Sequence, residues 1–155
     1  MAKEIPLTQG KVAIVDDEDF EWLSRYRWAY NKRLGYAQRS IRKDGKLASL
    51  AMHRAIMQPP PGMQVDHING DRLDNRRCNL RIVTNQQNSF NRQPQKATSQ
   101  YKGVGWYKPY QKWRAKIKIN GKTKHLGYFD DEKEAALAYD RAARELFGEY
   151  AKTNF

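Results

Sequence analysis

Residues 113–119 read Trp-Arg-Ala-Lys-Ile-Lys-Ile, so Trp113, Ala115, Ile117 and Ile119 fall on one side of an extended chain and Arg114, Lys116 and Lys118 on the other. A helix would mix the two sets; a half-buried strand separates them. Asn120-Gly121 follows, a dipeptide suited to a two-residue hairpin turn because both central positions take positive φ. The chain then returns as KTKHLGYF, residues 122–129, and YKGVGWY before it supplies a third short strand. Asp131 and Glu134 fit a capping-box variant opening a helix through about Phe147, on which Ala135, Tyr139, Ala142 and Leu146 recur at helical spacing. The small alanines let that helix lie close on the apolar sheet face. The cationic face is left open.

Charge says what that face suits. Lys and Arg number 29 against 17 Asp and Glu, a net charge of +12. Residues 96–129 carry nine Lys or Arg and no acid, whereas 130–155 carry four basic and seven acidic residues. A polarised basic sheet points to a polyanionic partner rather than a small metabolite. The 18 aromatics (4 Trp, 9 Tyr, 5 Phe) argue against a disordered basic tail. Cys78 is the only cysteine, which excludes an intramolecular disulfide framework and multi-thiolate zinc sites and favours a reducing, cytoplasmic setting. The N-terminus lacks an apolar signal core, and no run approaches the roughly 18–20 apolar residues of a membrane span. Neither a membrane nor an obligate protein partner is expected.

The chain is long enough for two small modules. Asn88–Gln100 is polar, contains Pro94 and reads as a linker, centred on residues 93–99. Ahead of it lie a strand at 11–15, a helix opening among Asp16, Asp17 and Asp19, and two strands around Asp44-Gly45, another hairpin dipeptide. Ala51–Met57 reads as a short helix ended by Pro59, Pro60 and Pro61.

Between them, VDHINGDRLDNRRCNLRIVTNQQNSFN, residues 65–91, reads as strand, loop, strand and helix, with Thr84 and Gln87 at capping-box spacing. Phosphodiester hydrolysis needs a base for water and a hard cation for phosphate. Neutral His67 can be that base, while Asp66 and the Asn88 side-chain oxygen suit Mg2+ or Mn2+. Adjacent strand residues face opposite ways, so Asp66 and His67 need a strand end or bulge to share a site.

Asp66-His67, Asn79 twelve positions after the histidine and Asn88 nine later closely resemble the HNH nuclease motif of the ββα-metal fold, in its homing-endonuclease and phage branch. The resemblance spans about residues 50–92. It implies His67 as general base, Asp66 and Asn88 as ligands of one divalent ion, and Asn79 orienting the histidine or bracing the loop. Asn88 stands where many relatives have His. His53 sits where such nucleases have an aliphatic-His-Arg segment and reads as a helix histidine packed beneath the site. Arg54, Arg72, Arg76, Arg77 and Arg81 are candidate phosphate contacts.

Residues 101–155, with LGYF, EAALAYDRAA and a closing NF, look like the plant ethylene-response-factor (Apetala-type) DNA-binding domain. That family lays a three-stranded sheet in the major groove, so the resemblance implies that Tyr107, Arg114, Lys116, Lys118, Lys124 and His125 face double-stranded DNA, with Lys102, Lys108 and Lys122 as further contacts. Gly105, Tyr107 and His125 depart from the plant pattern, so its target sequence does not carry over.

The expectation is an α+β chain: a ββα-metal nuclease with a β-rich extension at 1–92, a linker at 93–99, and a three-stranded antiparallel sheet packed on one helix at 100–155. The activity expected is site-directed, metal-dependent DNA cleavage in a phage or bacterial host cell. The rival is a non-cleaving DNA-binding regulator on an inactive HNH scaffold. An RNA-binding accessory protein would explain the charge but not Asp66, His67, Asn79 and Asn88 together.

Overall fold

Asp44-Gly45 and Asn120-Gly121 turn as their residue types demand, with φ of 51° and 74° in the first pair and 48° and 75° in the second. The hairpins they close belong to different units of a computed structural model that describes residues 1–90 and 98–155: Met1–Asn85 and Gln86–Phe155. The expected linker lies at residues 93–99, of which 93–97 fall outside the described residues.

In the first unit, β1 (Ala2–Pro6) pairs antiparallel with β2 (Val12–Asp16), followed by α1 (Asp17–Leu23). A three-stranded antiparallel sheet has the order β3 (Ala29–Asn31), β4 (Tyr36–Lys43) and β5 (Lys46–Ala51). The helix α2 (Met52–Met57) stops at Gln58, whose left-handed conformation precedes the three prolines. Then come β6 (Gln64–His67) and β7 (Leu80–Val83), an antiparallel pair with Asp66 opposite Arg81 and His67 opposite Leu80. Ile5, Ala13, Val15, Leu23, Trp28 and Met52 form much of the core. Strands β1 and β3 were not anticipated from the sequence; Ala2–Pro6 is too short and polar to show alternation, and Ala29–Asn31 has three residues.

The loop between β6 and β7 is fastened to β2. Ile14 donates its backbone N–H to Leu73 O at 2.8 Å, and Asn75 donates to Ile14 O at 2.7 Å. The extension therefore braces the segment that follows His67.

The second unit takes in most of α3 (Asn85–Phe90), which starts directly after Thr84 as the capping-box spacing suggests. Its sheet has the order β10 (Lys122–Phe129), β9 (Lys112–Ile119), β8 (Val104–Tyr107), all antiparallel, and α4 (Glu132–Phe147) lies on it. Asp131 caps α4 by accepting from the Lys133 N–H at 2.7 Å. Ala115, Ile117, Ala135, Ala136, Tyr139 and Ala143 are buried, so α4 faces the apolar side of the sheet. Gly103 has φ 76°, and a Cβ there would run into the Tyr139 ring. The Asp140 carboxylate, fully buried, accepts from the backbone N–H groups of Asn154 and Phe155 and from the Asn154 amide, tying the C-terminus to the helix. The α+β class and the sheet-on-helix architecture are as expected.

Candidate nuclease site and DNA-binding face

His67 ends β6, and the bend expected beside Asp66 is the turn that follows, where Gly70 donates to His67 O at 3.0 Å. The ring is buried, and its Nε2 lies 3.0 Å from Asn75 Oδ1. Asn75 is fully buried, and its amide nitrogen points to Met52 Sδ at 3.6 Å and Leu73 O at 3.5 Å, so oxygen is the atom that meets the ring. An amide oxygen only accepts; Nε2 must carry the proton, which makes Nδ1 the basic nitrogen. Burial holds His67 below the ordinary histidine value, against the upward pull of Asn75 and the Asp66 charge. His53 packs edge-on between Tyr36 and His67, with centroids 5.1 and 5.0 Å away, and burial beside His67 pushes it down to about 3, so it is neutral at pH 7. It sits beneath the histidine, as expected.

Asp66 is buried, and its Oδ2 receives Arg81 Nε at 3.0 Å and Nη2 at 2.8 Å across the strand pair. Asn79 braces the loop: its amide donates to Asp74 O at 2.8 Å, and its Oδ1 accepts the Asn69 N–H at 3.0 Å. Asn75 supplies the hydrogen-bond partner of the His67 ring, while the Asn79 side chain serves the loop. Asn88 lies half-buried on α3, in the second unit. Hard carboxylate oxygen at Asp66, with an exposed Cys78 as the one thiol, fits Mg2+ or Mn2+ better than thiolate-bound zinc. Three other acids, Asp16, Glu18 and Asp19, lie close together. Arg77 engages them, pairing with both Asp19 oxygens at 2.7 and 2.8 Å and donating its backbone N–H to Asp16.

On the second unit, directly paired residues share a face. Gly105 and Tyr128 stand opposite Arg114, His125 opposite Lys116, and Thr123 opposite Lys118. One face therefore gathers Tyr107, Arg114, Lys116, Lys118, Thr123, His125 and Tyr128, and the Arg114 guanidinium rests 4.9 Å over the Tyr107 ring. Lys108 is exposed in the turn after β8. Three residues expected to meet DNA lie elsewhere. Lys122 and Lys124 stand opposite Ile119 and Ile117, on the side that carries α4. Lys102 donates its amine to Phe90 O, and burial pushes it down to about 8.

Comparison with known proteins follows this division. Residues 58–90 match a family model described as HNH endonuclease, and residues 99–149 match the AP2 domain. An uncharacterized HNH endonuclease of Acanthamoeba polyphaga mimivirus is 34% identical over 152 residues, which cover 94% of this chain and 76% of that protein. The chain belongs to the HNH endonuclease family. Protein 3.8 of Escherichia phage T7 is 35% identical over 94 residues, 60% of this chain and 77% of its own length. APETALA2-like protein 2 of Oryza sativa subsp. japonica is 44% identical over 64 residues, 41% of this chain and 15% of its own length. The chain is thus a fusion of a nuclease-like HNH domain with an AP2 DNA-binding domain.

Within the HNH part, all five candidate phosphate-binding arginines are engaged inside the fold. Arg76 pairs with Asp74 through two hydrogen bonds of 2.7 and 2.8 Å, Arg77 with Asp19, and Arg81 with Asp66. Arg54 reaches Met63 O at 3.3 Å and Arg72 reaches Leu34 O at 2.5 Å. Asn75 was missed by sequence reasoning because one more Asn in an Asp/Asn-rich loop looks like turn chemistry. Its one signal is the spacing of eight residues from His67 across a tight loop.

Proposed function

We propose that the chain is a divalent-metal-dependent DNA endonuclease in which His67 is the general base. The observation that carries this reading is the buried Nε2–Asn75 contact, which sets one tautomer and directs Nδ1 as proton acceptor. His67 Nδ1 takes a proton from water, the water oxygen forms a bond to phosphorus, and the P–O bond to the leaving sugar oxygen breaks, with a proton from solvent completing the alcohol. Asp66 would hold Mg2+ or Mn2+, which would supply charge neutralisation for the phosphate and the departing oxygen. Arg81 fixes the Asp66 carboxylate. Asn75 is a positioning residue, and Asn79 keeps the loop in shape.

The AP2 domain supplies the DNA-binding face. Arg114 is its base reader, because a planar fork resting on Tyr107 can take guanine O6 and N7 together, while Lys116 and Lys118 mix base and phosphate contacts. Supercoiled DNA incubated with the protein and Mg2+ should be converted to nicked or linear form, and EDTA should stop it. Cleavage that survives exhaustive chelation contradicts the metal requirement.

A further inference from the structure

The first unit carries a cationic surface that neither family match covers. Residues 24–64 contain nine basic residues (Arg25, Arg27, Lys32, Arg33, Arg39, Arg42, Lys43, Lys46, Arg54) and one acid, Asp44. The HNH match begins only at residue 58 and the AP2 match at 99. Of the nine, Arg25 alone is ion-paired among the described residues, to Glu21 at 3.2 Å. Most of them lie on β3–β5 and its turns. Arg39 and Lys43 share a face of β4 by alternation, and Lys46 stands directly opposite Lys43 across the Asp44-Gly45 turn.

Arg39 is the most constrained of these cations. Its guanidinium lies 3.9 Å over the Tyr26 ring and 5.7 Å from the Trp28 ring, and its Nε is buried without a hydrogen-bond partner. It lines a shallow groove with Tyr26, Arg27, Trp28, Gln38 and Ser40, and no acid borders that groove. A guanidinium clamped on aromatic rings loses little freedom when it binds, and its donors suit phosphate oxygens. The arginines around Asp66 and His67 are engaged by carboxylates and carbonyls, so unpaired cations for a DNA backbone in this unit are concentrated on β3–β5.

We infer that the β3–β5 sheet is a second DNA-binding surface, with Arg39 on a backbone phosphate in the Tyr26–Trp28 groove and the Lys43–Lys46 turn on neighbouring phosphates. The inference rests on the reading that the chain binds duplex DNA. A surface of this kind reads charge rather than sequence, which fits a nuclease whose specificity resides in another domain.

The test is binding of the full chain to a fluorescent mixed-sequence duplex in EDTA, followed by anisotropy across a salt series. Arg39→Gln and the exposed double variant Lys43→Gln/Lys46→Gln should each flatten the plot of log affinity against log salt, by about 0.9 for every phosphate no longer neutralised. Thermal melts check folding, and should Arg39→Gln be unstable, the double variant, built on exposed side chains, decides. Wild-type slopes in a folded Arg39→Gln and in the double variant, with wild-type protein binding normally, overturn this inference alone. No salt-dependent duplex binding by the wild type overturns it together with the DNA-binding reading.

Discussion

His67 can act as a base only if its ring presents the right nitrogen, and Asn75 is what holds the tautomer. Removing that amide leaves a buried N–H without an acceptor, a penalty of about 1–3 kcal/mol, and frees the ring to swap protons. Asn75→Ala should therefore lower kcat about tenfold or more with little change in KM, while circular dichroism shows a folded chain. Wild-type kcat in a folded Asn75→Ala would contradict the positioning role. At this scale the sequence was legible for residue type and less so for partnership. Asp66, His67 and Asn79 are buried, but that Asp66 is clasped by Arg81, or that Asn75 hydrogen-bonds the histidine, depends on cross-strand register and loop curvature. Neither is encoded in local spacing. The five arginines near the site show the same limit, because an arginine that binds phosphate and one that binds a carboxylate look alike in a sequence.

Elements were more legible than side-chain partners. Both Asp-Gly and Asn-Gly turns, the Asp131 cap, the alternation of β9 and the proline stop after α2 all arise from local backbone chemistry. The face of Tyr128 was not legible, because a register shift between His125 and Gly127 breaks simple alternation there. Lys122 and Lys124 lie ahead of the shift, and strict alternation with Thr123 and His125 already puts them on the side of Ile119 and Ile117. Burial also gives the second unit a pH signature. Lys102 is pushed from 10.5 down to about 8, so between those values the unfolded chain binds more protons than the folded one, and stability rises with pH. Tyr139 is pushed from 10.0 up to about 12, so above pH 10 the unfolded chain loses a proton that the folded one keeps, and stability falls. Thermal unfolding of a fragment spanning 86–155 should show Tm climbing from pH 8 toward 10 and dropping beyond. A Tm that falls steadily from pH 8 would contradict the burial of Lys102.

At the scale of the whole molecule, composition already separated a polyanion-binding chain from a metabolite enzyme, and the α+β division into nuclease-like and AP2 parts followed from two local motifs. What composition hid was a second basic stretch. The acids of α1 and of the loop after His67 offset its charge in any count over the N-terminal part, although Asp17, Asp74 and Asp19 pair with Lys3, Arg76 and Arg77 instead. Among the described residues, no helix is long and apolar enough to cross a membrane. In the proposed function His67 carries the chemistry and other residues carry the affinity. One preparation of His67→Ala, assayed both for cleavage of supercoiled DNA with Mg2+ and for binding to the same DNA, separates the two. Cleavage should fall by about 100- to 10,000-fold, the range of a lost general base, with affinity within about twofold of wild type. Undiminished cleavage by the folded variant, or binding abolished in parallel with cleavage, would contradict that division.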